Sequence, residues 1–195
     1  MVIIPPPPHN EIETHERYWN WIFSVDDGPT HPLKISSGGE AQESFGNVLI
    51  VAGSLRGDGR KERSLRIDAG IERIFVPAES VVYTEADGDG PIDQDLLNNV
   101  QNDIRGAEGI AYVLLNDSHQ KPNFLGPHLF SLNIQKCIKG TGRSGVGEGC
   151  TNGTPPGITR AAAACYYVFI PTDNLKTGSR IELRGRDINV TYTVR

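Results

Sequence analysis

Short apolar segments separated by turn residues run through most of this chain, and that pattern restricts it to a β-rich fold. Segments such as "NVLIVAGSL", "RSLRIDA" and "IAYVLLN" hold only a few apolar residues before glycine, proline, aspartate or serine follows. Strands of this length need frequent turns, whereas helix interiors tolerate few glycines and prolines. The 22 glycines and 13 prolines among 195 residues fit the β-rich interpretation.

The number and spacing of the segments predict an all-β fold, an antiparallel β-sandwich of jelly-roll-like type with one short α-helix inserted. About eight to ten short strands are expected, without a repeat of fixed period and without alternation of strands and helices. The length suits one domain. We expect a proline-rich N-terminal arm over residues 1–14, with Pro5 to Pro8 in the polyproline II conformation, and a single β-sandwich domain over residues 15–195.

Two segments in the first third of the chain predict core strands. Residues 16–25, "ERYWNWIFSV", place four apolar residues on one face at period two, which is typical of a strand: Trp19, Trp21, Phe23 and Val25. The segments "NVLIVAGSL" and "RSLRIDA" flank the turn-rich stretch "RGDGRKE", and this arrangement predicts a hairpin. Pro77 interrupts a later apolar run and predicts a kink, an edge or a crossing between sheets, because proline cannot donate to a ladder.

The carboxyl-terminal stretch "SRIELRGRDINVTYTVR" predicts a second hairpin. With residues 185–186 as the turn, Leu183 faces Ile188 and Ile181 faces Val190, so both strands present apolar side chains to one face. Four polar residues are then expected on the solvated outer face: Glu182, Arg184, Asn189 and Thr191. One long strand with a glycine bulge is the alternative.

One helix is predicted over residues 91–104. Its apolar positions recur at helical spacing at Ile92, Leu96, Leu97, Val100 and Ile104. Proline at position 91 suits a first helical turn, and the aspartates at 93 and 95 favour the positive end of the helix dipole.

The acidic loop before this helix, "TEADGDGPIDQDLLNN", resembles a calcium-binding pattern in part. In the register of a twelve-residue EF-hand loop, four acidic residues fall at positions 1, 3, 5 and 9: Glu85, Asp87, Asp89 and Asp93. Gly90 occupies the tight-turn position, but Leu96 stands where a bidentate glutamate is expected. Asp95, a distant loop or waters would have to replace that ligand. The alternative is a solvated acidic turn that caps the helix.

Two further pairs of residues are candidate ligand contacts. Arg56 and Asp58 lie at the expected hairpin tip, where an exposed Arg-Gly-Asp sequence is available to a partner, although Gly-Asp-Gly is also ordinary turn chemistry. Trp19 and Trp21 would stack on sugars if they are exposed, and would simply pack in the core if they are not.

Charge and cysteine content exclude several classes of protein. The net charge of −5, without long single-sign blocks, argues against nucleic-acid binding. No apolar stretch reaches the roughly 18–20 residues that a membrane span needs, and no signal peptide is visible, so the expectation is a cytoplasmic or already processed chain. Cys137 and Cys150 bracket a glycine-rich loop and are either bridged or reduced. No zinc, phosphate-loop, dinucleotide or serine-hydrolase motif is present.

The leading hypothesis is a non-catalytic binding or assembly module that recognises a carbohydrate or a protein surface through its end loops, with a structural calcium site as an addition. A hydrolase whose carboxylates or histidines converge only in the fold is the first alternative. A capsid or appendage subunit is the second, and it implies a homo-oligomer held by edge strands or by the proline-rich arm.

Overall fold

Eleven β-strands and two α-helices lie within the residues that the computed structural model describes, which are 10–25, 28–35, 37–54, 59–84, 93–135, 157–186 and 188–195. The helices are α1 (Glu11–Ile22) and α2 (Asp93–Arg105). The strands are β1 (Ser37–Glu40), β2 (Gln42–Phe45), β3 (Val48–Val51), β4 (Arg60–Leu65), β5 (Arg73–Thr84), β6 (Tyr112–Leu115), β7 (Ser118–Gln120), β8 (Asn123–Ile134), β9 (Gly157–Pro171), β10 (Arg180–Arg184) and β11 (Asn189–Val194). The fold is therefore mostly β, with two sheets and two helices.

The strands form two mixed sheets. The six-stranded sheet has the order β1-β4-β11-β10-β6-β7, and the five-stranded sheet has the order β2-β3-β5-β9-β8. Most neighbours are antiparallel, as predicted, but β4 runs parallel to both β1 and β11, and β3 runs parallel to β5. The sheets are thus not purely antiparallel. Neither described helix is long and apolar enough to cross a membrane.

The predicted first strand over residues 16–25 is wrong, because residues 16–22 belong to α1 and residues 23–25 form the turn after it. Asn10 caps the helix by accepting a hydrogen bond from the backbone N–H of Glu13 at 2.6 Å, and Glu11 and Glu13 lie favourably in the first turn. The buried positions follow a helical period: Thr14, His15, Tyr18, Trp19 and Ile22. The helix begins inside the segment predicted as an arm, whose residues 1–9 lie outside the described part of the chain.

The predicted hairpin between "NVLIVAGSL" and "RSLRIDA" is also wrong. The first segment forms β3 in the five-stranded sheet, and the second forms β4 in the six-stranded sheet. All four residues of β3 are buried, so this strand needs cover on both faces and lies between β2 and β5. The intervening residues 55–58 lie outside the described ranges.

The carboxyl-terminal hairpin is confirmed, with a register that differs by two residues. Leu183 pairs with Val190 and Ile181 pairs with Tyr192, while the backbone N–H of Gly185 donates to the carbonyl of Ile188 at 3.1 Å. A shift of two keeps the same side chains on each face, because the side-chain period of a strand is two. The outer face is less solvated than expected, since Glu182 and Thr191 are buried there.

Helix α2 confirms the predicted helix over its described part. It buries Leu96, Val100 and Ile104 against one face of the five-stranded sheet, where Ala162 and Ala164 of β9 lie. Alternate residues of β9 point to the opposite face. There Ala161, Ala163 and Cys165 join a larger core that contains residues of α1 and of both sheets. The irregularity expected at Pro77 is present as a register shift between Pro77 and Glu79 in β5.

Candidate binding groove beside the first helix

Five of the predicted site residues fall outside the described residues: Arg56, Asp58, Glu85, Asp87 and Asp89. Asp93 is described and is the first residue of α2. Both of its carboxylate oxygens bind Arg160, with Oδ1 at 2.5 Å from Nε and Oδ2 at 2.6 Å from Nη2. Within the described part of the chain, no three side chains of His, Cys, Asp or Glu are grouped to hold a metal ion. The predicted calcium site thus stays a prediction.

The two tryptophans point in different directions because α1 is a helix and they are two positions apart. Trp19 is only 3% exposed and packs in the core, with its ring centroid 5.0 Å from that of Tyr18 and 6.2 Å from that of Phe23. It is therefore not available for stacking on a ligand. Trp21 is half-buried and lines an open groove.

The groove has a volume of about 470 Å³ and lies where α1 meets strands of the five-stranded sheet. Seven residues line it: Arg17, Asn20, Trp21, Ser24, Glu43, Asn133 and Gln135. The first four come from α1 and the turn that follows it, and Glu43 comes from β2. Asn133 lies at the end of β8, and Gln135 is the residue that follows this strand. Six of the seven are polar, and Trp21 is the aromatic member.

Hydrogen bonds fix the wall between α1 and β8. The side-chain oxygen of Asn20 accepts from the backbone N–H of Asn133 at 2.9 Å, and the carbonyl of Phe23 accepts from the backbone N–H of Gln135 at 3.1 Å. Asn20 also donates from Nδ2 to the carbonyl of Glu16 at 2.9 Å, which sets its rotamer. Because β8 is an edge strand, α1 satisfies N–H groups that would otherwise be open to another chain.

The opposite wall is an ion pair between Arg17 and Glu43. The Arg17 guanidinium also lies 5.8 Å from the ring centroid of Phe45, a cation–π distance. Arg17 binds Oε1 of Glu43, while Oε2 has no hydrogen-bond partner among the described residues. Because Oε2 is also buried, the donors of the half-exposed Arg17 guanidinium are the more accessible polar groups of this wall.

A second polar cluster lies under α1, in the core. His15 is completely buried, and its Nε2 accepts from the indole N–H of Trp19 at 3.1 Å and lies 2.7 Å from Oγ of Ser80. A serine hydroxyl within hydrogen-bond distance of a histidine nitrogen is also the arrangement found in activated serine nucleophiles. Here, however, Nδ1 of His15 has no partner within the described residues, so no carboxylate orients the ring, and no solvent reaches it. Burial, and then the charge of His128, lower the pKa of His15 well below its ordinary value.

Sequence reasoning missed most of the groove residues because it treated residues 16–25 as a strand. A helical period places Arg17, Asn20, Trp21 and Ser24 on one face at spacings of three, four and seven, so this half of the site was readable in the sequence. The other half was not readable. Glu43 and Asn133 reach the groove only through the pairing of distant strands.

Comparisons of the chain with protein-family models, with curated proteins and with solved structures find no match.

Proposed function

We propose that this protein is a non-catalytic binding module that recognises a carbohydrate in the groove beside α1. The observation that carries the proposal is the composition of the lining, in which one half-buried tryptophan, Trp21, lies among carboxamides, a serine and an Arg–Glu pair. An aromatic face suits the C–H face of a sugar ring, and fixed amide and charged groups suit its hydroxyls. We also propose that the two sheets form the jelly-roll-like sandwich predicted from the sequence, which their shared core supports.

The shape of the groove favours a carbohydrate over a protein surface. Protein interfaces centre on well-packed apolar anchors, whereas this groove is concave and polar apart from one aromatic ring. Small-molecule sites with mainly apolar linings suit drug-like or cofactor ligands. A hydroxyl-rich ligand matches the described lining better than either.

The number of carboxylates in the described lining supports binding without cleavage. Most glycoside hydrolases need two carboxyl groups, about 5–9.5 Å apart, on either side of the scissile bond. Glu43 is the one carboxylate among the described lining residues, and it already pairs with Arg17. The hydrolase alternative has no comparable support, because the serine–histidine pair under α1 is closed to solvent.

Glycan-array screening followed by calorimetric titration tests the proposal. Trp21→Ala should weaken binding at least tenfold, which corresponds to a loss of about 1.4 kcal/mol. Phe124→Ala is the matched control, since Phe124 on β8 is a half-exposed aromatic that packs against Tyr166 of β9 but does not line the groove. Absence of binding to every glycan, or equal weakening by the two variants, would refute the proposal.

Calcium and self-association remain separate proposals. A calcium ion in the loop over residues 84–99 would have to compete with Arg160 for Asp93, because both oxygens of that carboxylate are engaged. A homo-oligomer would show itself by light scattering of the purified chain.

A further inference from the structure

A buried histidine, His15, contacts a partly buried one, His128, beneath the helix that supplies one wall of the groove. The rings of His15 on α1 and His128 on β8 have centroids 5.3 Å apart at an interplanar angle of 61°. Nδ1 of His128 lies 3.1 Å from the carbonyl of Gly126, which assigns a proton to that nitrogen. Nδ1 of His15 and Nε2 of His128 are buried and have no hydrogen-bond partner within the described residues. These two nitrogens therefore lack both solvent and a protein partner within the described residues.

The hydrogen bond between Trp19 and His15 depends on the charge of His15. The indole N–H can only donate, so Nε2 of His15 must be unprotonated to accept from it. A proton on Nε2 would turn this acceptor into a donor that faces the indole N–H. Protonation thus breaks a buried contact between α1 residues and leaves a cation in the core.

The groups around His15 do little to compensate such a charge. On α1, Tyr18 stacks beside His15 as a neutral phenol, because burial raises its pKa. On β9, the pKa of the buried Cys165 thiol is also raised by burial, so it stays neutral. On β5, Ser80 is neutral and the neighbouring Glu79 is bound to Arg186. On α1, Glu16 interacts with His128, although burial raises its pKa above its ordinary value.

We propose that His15, packed against His128, makes α1 an acid-sensitive clamp: protonation of His15 loosens α1 from the five-stranded sheet and dismantles the ligand groove. The link is structural, because the same helix and the turn after it supply Arg17, Asn20, Trp21 and Ser24 to the groove. The consequence for a ligand rests on the proposed carbohydrate function. The response of the helix does not, and it can be measured without a ligand.

The direction of the effect follows from proton linkage. A loosened helix exposes His15 to water, where its pKa returns to about 6.5, whereas the docked form resists protonation. The docked form is therefore most strongly favoured above about pH 6.5. As the pH falls below this value, the ratio of docked to loosened helix decreases by up to about tenfold per pH unit for each proton taken up. Acid should release the ligand and neutral pH should retain it.

The ligand-free test follows the indole N–H signal of Trp19 by NMR from about pH 7.5 to about pH 5. The signal should shift or exchange away in wild type, while the amides of β10 and β11 stay protected. His15→Gln should remove this transition, and His119→Gln, on the exposed β7 strand, should preserve it. If His15→Gln does not fold, His128→Gln is used, and its transition should move to lower pH because one source of repulsion is gone. An unchanged Trp19 signal down to about pH 5, or loss of the effect in His119→Gln, would overturn the proposal.

The second test measures the affinity of a glycan identified by array screening over the same pH range. Wild-type affinity should fall in step with the Trp19 transition, and the affinity of the His119→Gln control should fall equally. Affinity that is constant while the helix responds would overturn the link to the groove. If no glycan binds at any pH, the carbohydrate function is refuted, but the helix response still decides whether the histidine pair acts as a clamp.

Discussion

Asn20 on α1 accepts a hydrogen bond from the backbone N–H of Asn133 on β8 at 2.9 Å, so a helix side chain takes the place of a neighbouring strand at the edge of the five-stranded sheet. The carbonyl of Phe23, just after the helix, accepts a hydrogen bond from the backbone N–H of Gln135, two residues further along the same edge. One short segment of the helix therefore both closes an open edge and builds a wall of the groove. Stability and ligand binding should respond together when it is changed.

Asn20→Ala should lower the free energy of unfolding by about 1 kcal/mol and speed the hydrogen exchange of the Asn133 amide, because this exposed N–H loses its protein acceptor and is left to water. The matched control is Asn98→Ala on the exposed side of α2, where the side chain only accepts from Gln94 within the helix. Both changes gain the same helix propensity, so the difference between them isolates the edge contact. Urea unfolding and amide exchange measure it. Equal stabilities and an unchanged Asn133 rate would show that the contact is dispensable.

A second expectation concerns Arg63, a charged residue that is only 2% exposed. Its guanidinium donates to the carbonyls of Ile35, Ala52 and Gly53 at 2.8–3.0 Å and to the phenol oxygen of Tyr192 at 3.0 Å. The carbonyl of Ala52 keeps the Tyr192 hydroxyl as a donor, but those of Ile35 and Gly53 lose the guanidinium. Since each buried carbonyl left unpaired costs about 1–3 kcal/mol, Arg63→Met should lower the free energy of unfolding by at least about 2 kcal/mol.

The control for Arg63 is Arg66→Met, because Arg66 is exposed and pairs only with the exposed Asp68. Such a surface pair contributes at most about 1 kcal/mol. Denaturant unfolding of the two variants compares a buried with an exposed arginine in the same part of the chain. A loss for Arg63→Met no larger than that for Arg66→Met would mean that backbone rearrangement satisfies the carbonyls.

The sequence predicts α2 correctly but not α1, and the periodicity of the apolar residues in each segment explains both outcomes. In α2 the apolar residues occur only at helical spacing, whereas in α1 Trp19, Trp21 and Phe23 also alternate, so two periods fit one segment. The cap at Asn10 and the acidic first turn favoured the helix, but they are weaker signals than a run of aromatic residues. Tertiary packing, through the burial of Tyr18 and Ile22, decides between the periods.

Long-range pairing limited the prediction of the sheets and of the groove. Strand β4 lies parallel to β11, which brings Arg63 and Tyr192 together although 129 positions separate them. Asn20 and Asn133 are 113 positions apart. Local alternation determines which face of a strand is buried, but it does not state which strand lies beside it. The local hairpin of β10 and β11 was predictable because its two strands are consecutive.

Gly185 should not tolerate a side chain. A Cβ at this position would lie 2.3 Å from Oε2 of Glu79 and 2.9 Å from the carbonyl oxygen of Ala78, and Glu79 is buried and bound to Arg186. Gly185→Ala should therefore lower the free energy of unfolding by about 1–3 kcal/mol through overpacking. Gly28→Ala is the control, because no atom lies within 4 Å of its Cβ position. Thermal melts of both variants test this, and equal melting temperatures would contradict it.

Calcium should stabilise the protein if the acidic loop binds it, since an ion that binds only the native state adds RT ln(1 + [L]/Kd) to the free energy of unfolding. A site of micromolar affinity should add about 4 kcal/mol at millimolar calcium. Asp87→Asn and Asp89→Asn should remove the effect, whereas Arg160→Gln should enlarge it, because Asp93 then loses its competing partner. Asp173→Asn, in the 3-10 turn after β9, is the control and should leave it unchanged. Thermal melts with calcium, with magnesium and with chelator measure the response. Identical melts in all three would leave Asp93 as the first residue of a helix that pairs with Arg160, and nothing more.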